Sequence, residues 1–284
     1  MKKWWNFRKE NDKNLYTAEI SELIEFLTKE FNQGGTYGTL NTTRSALSLI
    51  LGSEIADDFR VKRFFKGISN IRPALPKYDV TWDPQIILNY FSNKPENNLL
   101  SLEDLSKKLI TLLSITTGHR MQTYGFIEIE NIEKTAKNIL IKIPKKIKTS
   151  KRNGYQPVLN LPYFKENPKI CVASTLETYL KSTKEIRGSE KTLFISFKKP
   201  YKAVGKQTLS RWVKCILSES GINTDIFSAH STRHAASSAA KRNGVSLDVI
   251  RKAAGWTEKS KTFAKFYDRE IVANQESFAL AILK

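Results

Sequence analysis

Apolar residues recur along this chain at helical spacing over most of its length and alternate in one region only. Within residues 15–31, Ile20, Leu23, Ile24 and Leu27 share one helical face, and the Asn-Gln-Gly-Gly run that follows stops the helix. "TLNTTRSALSLILG" predicts a second helix ending near Gly52. "DDFRVKRFFKGISNI" predicts a third, with an acidic start and a basic, aromatic body. The three prolines of "RPALPKYDVTWDP" resist continuation of helix or sheet. They predict a linker over 71–83 between a helical domain, 1–70, and a larger domain, 84–284.

The larger domain opens with expected helices at about 84–93 and 102–117. The pattern then changes over 138–161, "NILIKIPKKIKTSKRNGYQPVLNLP", where β-branched residues alternate, Asn153-Gly154 intervenes and a second apolar segment follows. That predicts a hairpin, with Asn-Gly supplying the positive φ angles of a tight turn. Helices are expected again at about 171–182 and 207–220, with "TLFIS" as a short strand between them. His230 to Asn243 is alanine-rich and ends at Gly244, a good residue just past a helix C-terminus. Ser246 can cap the next helix, which carries Leu247, Val249 and Ile250 and stops at Gly255. A third segment from about Ser260 carries Phe263, Phe266 and Tyr267. The tail "EIVANQESFALAILK" reads as an amphipathic helix, packed within the chain or docked on a neighbouring subunit. The sum is a mainly α protein with a small β-hairpin.

Composition narrows the partners. The chain has 284 residues, with 47 Lys and Arg against 28 Asp and Glu, a net charge of +19. Such an excess attracts polyanions, nucleic acid first among them. A membrane surface fits less well, because the basic residues are spread over both expected domains instead of one helix face. No apolar run has the length of a spanning helix, and "MKKWWNFRKENDKN" lacks the apolar core of a signal peptide, so an intracellular location is expected. Cys171 and Cys215 lack metal-like spacing and read as reduced, structural residues. No carboxylate cluster stands out for a two-metal site, and no metal or cofactor is expected.

The three histidines all lie beside arginines: His119 precedes Arg120, and His230 and His234 bracket Arg233. Guanidinium forks and an imidazole suit the oxygens of a phosphate. Residues three apart on a helix share a face, so His230 and Arg233 can address one ligand. Lys148, before the expected hairpin tip, could reach it as a mobile proton donor, with Lys145, Lys146 and Lys151 as close alternatives. Trp256 offers an indole N–H. Tyr267 offers a hydroxyl nucleophile, which needs help to lose its proton. His119 reads as flanking the turn before Arg120, and His234 as packing or as support behind the site. Each feature alone has a commoner structural reading. His-x-x-Arg and Gly-Trp mostly serve packing, a tyrosine near Phe263 and Phe266 belongs in a core, and a basic hairpin is a solvated face or a nuclear-localisation run. The ordered set is what changes the reading.

That order, Arg, then Lys in a basic hairpin, then His-x-x-Arg, Gly-Trp and Tyr, resembles the tyrosine recombinase (integrase) family. Within it the likeness is greatest to recombinases of eukaryotic mobile elements of the Crypton and DIRS types. "TTGHRMQT", "IKTSKRNGYQPVLNLP", "LFISFKKP", "QTLSRWVK", "FSAHSTRHAASSAAKRNGVSLDVIRKAAGW" and "TFAKFYDR" carry it, and "TLNTTRSALS" and "RFFKGISNIRPALPKYDVTWD" resemble the family's core-binding part. The resemblance spans roughly residues 14–270. It implies an N-terminal helical, SAM-like core-binding domain followed by an α+β catalytic domain. It also implies roles. Arg120 and Arg233 would hold the scissile phosphate, and His230 would contact it and assist proton movement. Trp256 would bond a nonbridging oxygen, Lys148 would protonate the departing 5′-oxygen, and Tyr267 would form a 3′-phosphotyrosyl link.

The partner implied is double-stranded DNA, with a dimer on each site and a tetramer in synapsis, in the nucleus if the source is eukaryotic. Some positions depart from the family pattern. Thr123 stands where many members have an acid, Thr232 where many have an apolar residue, and Ala254 precedes the Gly-Trp pair; Trp256 and Tyr267 are slightly far apart. Two other functions share these residues: a catalytically silent DNA-binding protein derived from such an element, and a type IB topoisomerase-like enzyme that relaxes DNA.

Overall fold

The computed structural model describes residues 1–73, 77–148, 150, 156–256 and 267–271. The chain divides into two compact units, Met1–Pro76 and Lys77–Lys284. The first is helical: α1 (Lys2–Glu10), α2 (Ile20–Asn32), α3 (Tyr37–Leu51), the short α4 (Glu54–Asp57) and α5 (Phe59–Ile71). Its sequence does not advertise α1, which looks polar. Two aromatics anchor it nonetheless, Trp4 and Phe7, with rings 5.1 and 5.3 Å from that of Phe26 on α2. The Trp4 indole N–H donates to the Leu15 carbonyl. Buried Arg8 donates to the Asn14 and Thr17 carbonyls and to the Glu22 carboxylate. These bonds engage the backbone of 14–17, so α2 begins at Ile20 instead of near residue 15, behind a capping box of Glu19 and Glu22. Lys13 and Arg8 hold the Glu22 carboxyl down to about 2.

The second unit runs β1 (Val80–Thr81), α6 (Gln85–Ser92), α7 (Leu102–Thr117), α8 (Met121–Tyr124), β2 (Ile132–Lys134), β3 (Asn138–Lys142), β4 (Val158–Pro162), α9 (Val172–Thr183), α10 (Lys206–Glu219), α11 (Ser231–Arg242), α12 (Leu247–Ala253) and β5 (Glu270–Ile271). The expected mainly helical fold with a small sheet is what forms. Ser101 caps α7 by accepting from Asp104 N–H, and most of the helix is buried against α9, α10 and α11. Strands β2, β3 and β4 form an antiparallel sheet that turns Ile139, Ile141, Leu159 and Leu161 into the core.

Three sequence expectations change. First, the proline-rich stretch is less of a linker than 71–83 implies. Residues 77–83 belong to the second unit, because Tyr78 and Trp82 are buried there and β1 pairs in parallel with β5. Second, the strands pair as expected but not in the register of an uninterrupted hairpin closed at Asn153-Gly154. That register would set Lys142 opposite Lys165; Lys142 faces Val158 instead, and the Ile143 N–H continues the ladder to the Pro157 carbonyl. Residues 143–157 therefore connect them, and Asn153-Gly154 lies outside the described residues. Third, "TLFIS" makes only isolated bridges, Glu128 to Thr192 and Ile195 to Ala203, although Leu193, Phe194 and Ile195 are buried. Of the expected segment from Ser260, residues 260–266 lie outside the described residues; the expected tail helix does not begin at Glu270, because Glu270–Ile271 form β5 against β1, and the rest of the tail, from 272, lies outside the described residues.

Lys108 on α7 is an unusual core residue. It is 1% exposed, and its ammonium has no hydrogen-bond acceptor among the described residues. It lies 5.6 Å from the Phe91 ring centroid. Burial, helped by the charge of Lys169, lowers its pKa from 10.5 to about 8. Burying a charged donor unpaired costs roughly 1–3 kcal/mol or more. Lys108→Met is therefore expected to raise stability by about that amount at pH 7, measured by denaturant titration. Because the native pKa lies below the unfolded one, the wild type gains stability as pH rises from about 8 through 10.5. The gap between variant and wild type should close over that range. Equal stabilities at pH 7 would overturn this account.

Candidate active site

Helix α7 ends at Gly118, whose φ of 61° is a left-handed cap that L side chains adopt poorly. The chain turns there and presents His119 and Arg120. The turn is fixed by Tyr124, whose buried hydroxyl accepts from the His119 N–H at 2.9 Å and hydrogen-bonds Thr117 at 2.9 Å. Burial pushes the Tyr124 phenol up to about 12, so it stays protonated. Arg120, half-buried, occupies the N-cap position of α8.

Helix α11 supplies the next two residues. The loop before it is held by the aromatics of the 77–83 stretch. Tyr78 Oη hydrogen-bonds Ser228 Oγ at 2.9 Å, and Trp82 Nε1–H donates to Ser231 Oγ at 2.8 Å. His230 then stands at the N-cap of α11, and Arg233 lies one turn in, only 1% exposed. Arg233 Nη1 donates to the Gly118 carbonyl and so ties α11 to the end of α7. Its guanidinium carbon is 4.2 Å from the Trp256 ring centroid and 5.5 Å from that of Tyr267. Nε and Nη2 have no hydrogen-bond acceptor among the described residues, although the Tyr267 hydroxyl is near enough to favour the charged form. Arg8, Arg60 and Arg251 form ion pairs with carboxylates; among the described residues Arg120 and Arg233 form none. Burial, then the charge of Arg120, lowers the Arg233 pKa to about 10.

Tyr267 sits at the meeting point. Its hydroxyl is 2.8 Å from His230 Nε2. The His234 ring stacks flat on its face at 4.1 Å, and Trp256 meets it edge-on at 4.9 Å. His234 thus touches the tyrosine ring itself. The backbone around Tyr267 is tied to α11: Ser238 Oγ–H donates to the Tyr267 carbonyl, and the Arg269 N–H donates to Ser238 Oγ. Lys241 pairs with Asp268.

Electrostatics set the protonation of the imidazoles. Burial, then Arg233 and Arg120, then Lys77 and Lys148, lowers the His230 pKa to about 4. Burial and the same two arginines bring His119 to about 4 as well, against a hydrogen bond to the Ala253 backbone. Both rings are therefore neutral at pH 7. A neutral His230 with the proton on Nδ1 presents Nε2 as an acceptor to the Tyr267 hydroxyl.

Trp256 is delivered by the end of α12. Gly255 N–H donates to the Lys252 carbonyl and Trp256 N–H to the Arg251 carbonyl, the paired bonds of a Schellman cap. Gly255 has φ of +65°, and a Cβ there would lie 2.9 Å from His119 Cε1. Gly255→Ala is expected to cost about 1–3 kcal/mol in denaturant titration, combining left-handed strain with displacement of His119. An unchanged stability would mean that His119 yields freely.

Lys148 is exposed on a turn that is nonetheless well held. Buried Ile147 precedes it; the Ser150 N–H donates to the Ile147 carbonyl, and the Ile147 N–H donates to Ser150 Oγ. Ser150 Oγ–H then donates to Gln156 Oε1 at 2.9 Å. Lys145, its neighbour in the run, pairs with Glu128 at 2.5 Å.

So the residues singled out by sequence fall into two groups. Arg233, Trp256, His230 and Tyr267 are in mutual contact or one contact removed, with the charge of Arg120 acting on His230 and Arg233. Lys148, on its exposed turn, acts on His230 through its charge. Among the described residues, no three His, Cys, Asp or Glu side chains gather as metal ligands would.

The pattern of the phage integrase family matches residues 88–270, which includes all of these positions. The chain belongs to that family, the tyrosine recombinases. Solved structures share its fold. XerH site-specific recombinase, bound to palindromic difH substrate in a post-cleavage complex, is 17% identical, covering 94% of this chain and 73% of its own, with a TM-score of 0.62. The Tn1549 transposon integrase in complex with transposon right end DNA is 15% identical over 94% of this chain and 84% of its own, with a TM-score of 0.57. A lambda integrase dimer bound to a COC′ core site is 16% identical over 90% of this chain and 82% of its own, with a TM-score of 0.54. No curated protein matches the chain.

In this recombinase, sequence reasoning missed Tyr78, Trp82, Tyr124 and Ser238. Tyr78 and Trp82 were hidden in a proline-rich stretch. Tyr124 carried a weak signal, a tyrosine four residues after Arg120 in an otherwise polar turn. Ser238 carried none, because its partners lie about thirty residues away.

Proposed function

We propose that this recombinase cleaves and rejoins duplex DNA at specific sites through a 3′-phosphotyrosyl intermediate. The observation that supports it most is Arg233, a buried cation without a carboxylate partner among the described residues, beside a tyrosine hydroxyl already bonded to a neutral imidazole. A guanidinium buried without an anion is costly, and a phosphate in contact with it would offset that cost.

The steps follow from the groups. Arg233, Arg120 and Trp256 bind the nonbridging oxygens of the scissile phosphate, where negative charge grows in the pentacovalent transition state. Tyr267 Oη attacks phosphorus while its proton passes to His230 Nε2. The bond to the 5′-oxygen breaks, and Lys148 donates a proton to that oxygen. The phosphotyrosyl link keeps the phosphodiester energy, so a 5′-hydroxyl can reverse the sequence and reseal a strand without ATP. Lys145 is engaged with Glu128, which favours Lys148 as the acid.

The unit Met1–Pro76 would be the core-binding domain and Lys77–Lys284 the catalytic domain, clamping DNA through phosphate contacts whose strength falls steeply with salt. A dimer would hold each site and a tetramer the synapsis. The likeness of "TTGHRMQT" and "FSAHSTRHAASSAAKRNGVSLDVIRKAAGW" to Crypton- and DIRS-type recombinases points to integration of a mobile element, acting inside the cell and in the nucleus of a eukaryotic source. Among the described residues, no helix is long and apolar enough to cross a membrane.

Covalent trapping tests the reading. The protein and Tyr267→Phe are expressed with the element's end sequences, denatured and recovered, and any attached DNA is sequenced. An adduct in the wild type that disappears in Tyr267→Phe is expected. Native DNA binding with no adduct in either would leave a DNA-binding protein. Nicking of plasmids without site preference would indicate topoisomerase-like relaxation.

A further inference from the structure

Two adjacent serines on α11 use their hydroxyls differently. Ser237 spends its hydroxyl on its own helix, donating to the Arg233 carbonyl at 2.6 Å, as a mid-helix serine often does. Ser238 reaches across to the segment that carries Tyr267. It donates to the Tyr267 carbonyl at 2.8 Å and accepts from the Arg269 N–H at 3.1 Å. One buried hydroxyl thus satisfies a backbone acceptor and a backbone donor on either side of Asp268, and Ser238 is only 4% exposed. Ser238 also lies two helical turns beyond His230, which holds the tyrosine's other end, its hydroxyl, at 2.8 Å. Helix α11 therefore grips Tyr267 at both ends, backbone and phenol.

We infer that Ser238 is a positioning residue for the nucleophile: it fixes the Tyr267 backbone so that the phenol oxygen meets His230 and the phosphorus in line. The inference rests on the proposed cleavage reaction. Its physical basis is the steep dependence of displacement on alignment, where a misplacement of about 1 Å costs roughly 100-fold. Other restraints act elsewhere on the segment: the His234 and Trp256 rings pack on the Tyr267 ring. Lys241 pairs with Asp268 at a partly exposed site, and β5 contributes a two-residue pairing with β1. Removing the Ser238 oxygen leaves a buried carbonyl and N–H to find new partners, and the segment must move to do so. Ser238 touches no reacting atom, so its loss should spare DNA binding.

The test uses the full chain and a nicked duplex carrying the site recovered by covalent trapping. Single-turnover adduct formation is measured at saturating DNA, alongside DNA affinity and thermal midpoint. Ser238→Ala should form adduct about 10–100-fold more slowly, with affinity unchanged within about 2-fold. Ser238→Thr, which keeps the oxygen, should recover most of the rate. Should the alanine variant melt low, Ser238→Cys, similar in shape but a weak donor and acceptor, should show the same slow rate with the same affinity. An alanine variant as fast as the wild type would overturn the inference alone. So would a threonine variant as slow as alanine with an unchanged midpoint. Absence of adduct from the wild type would overturn the proposed function and this inference with it.

Discussion

Arg233→Met should abolish adduct formation, by at least about 10³-fold, while leaving the DNA-free protein as stable as the wild type or more so. The two halves have one cause. Among the described residues, Arg233 is after Trp4 the largest side chain almost completely shielded from solvent, and burial lowers its pKa to about 10. Its hydrogen bond to the Gly118 carbonyl is charge-assisted, and losing it costs about 1–3 kcal/mol. Removing an unpaired buried charge recovers several kcal/mol, the effective penalty for taking an ion out of water. The second term is the larger. Met also keeps an unbranched apolar stem of comparable reach against Trp256. The variant's melting midpoint is therefore expected at or above that of the wild type, with single-turnover cleavage lost. A large drop in stability would show that the guanidinium is already compensated in the free protein. Arg233 would then be structural, and the proposed phosphate site would lose its principal support.

The opposition between stability and chemistry explains what was legible from the sequence and what was not. His230, Arg233 and Trp256 could be singled out because short spacings and helix ends place them: His230 and Arg233 three positions apart at the start of one helix, and Trp256 directly after the glycine that ends another. Lys108 gave no such warning, since a lysine in a helix normally lies at the surface and only the packing of α7 against its neighbours buries it. The early helix α1 was missed because its polar composition masks two aromatic anchors. The 77–83 stretch was misread for a related reason. Prolines flank it, and its two-residue strand is too short to show alternation, yet Tyr78 and Trp82 brace the loop that ends at His230. Asn153-Gly154 is a sound local turn signal, but the register of β3 and β4 is set by the inward faces of Ile139, Ile141, Leu159 and Leu161. Contacts near in sequence were readable. Those made by chain segments distant in sequence required the fold.

Lys148→Ala should slow cleavage by about 10²–10³-fold, and a duplex with sulfur in place of the bridging 5′-oxygen should remove the defect. The leaving group decides the outcome. A 5′-alkoxide is a strong base and departs readily only if it is protonated as the bond breaks. A thiolate is stable near neutral pH, since ordinary thiols ionise at about 8.5, and it needs no acid. Wild type and variant should then form adduct at similar rates on the sulfur substrate. A variant that had lost phosphate binding or nucleophile alignment, such as Arg233→Met, should stay slow on both substrates. The neighbouring lysines sharpen the test. Lys145 is paired with Glu128, and Lys146 is exposed on the same loop, so replacing either with alanine should not produce a sulfur-rescued defect. Lys148 differs from them in its footing: buried Ile147 on one side and the Ser150 hydrogen bonds on the other hold its backbone, while its long side chain reaches outward. Its charge is felt at His230, which would place the acid and the base of one displacement within each other's field. A sulfur-rescued defect in Lys145→Ala or Lys146→Ala, with Lys148→Ala unaffected, would move the general acid to that residue and leave the rest of the mechanism standing.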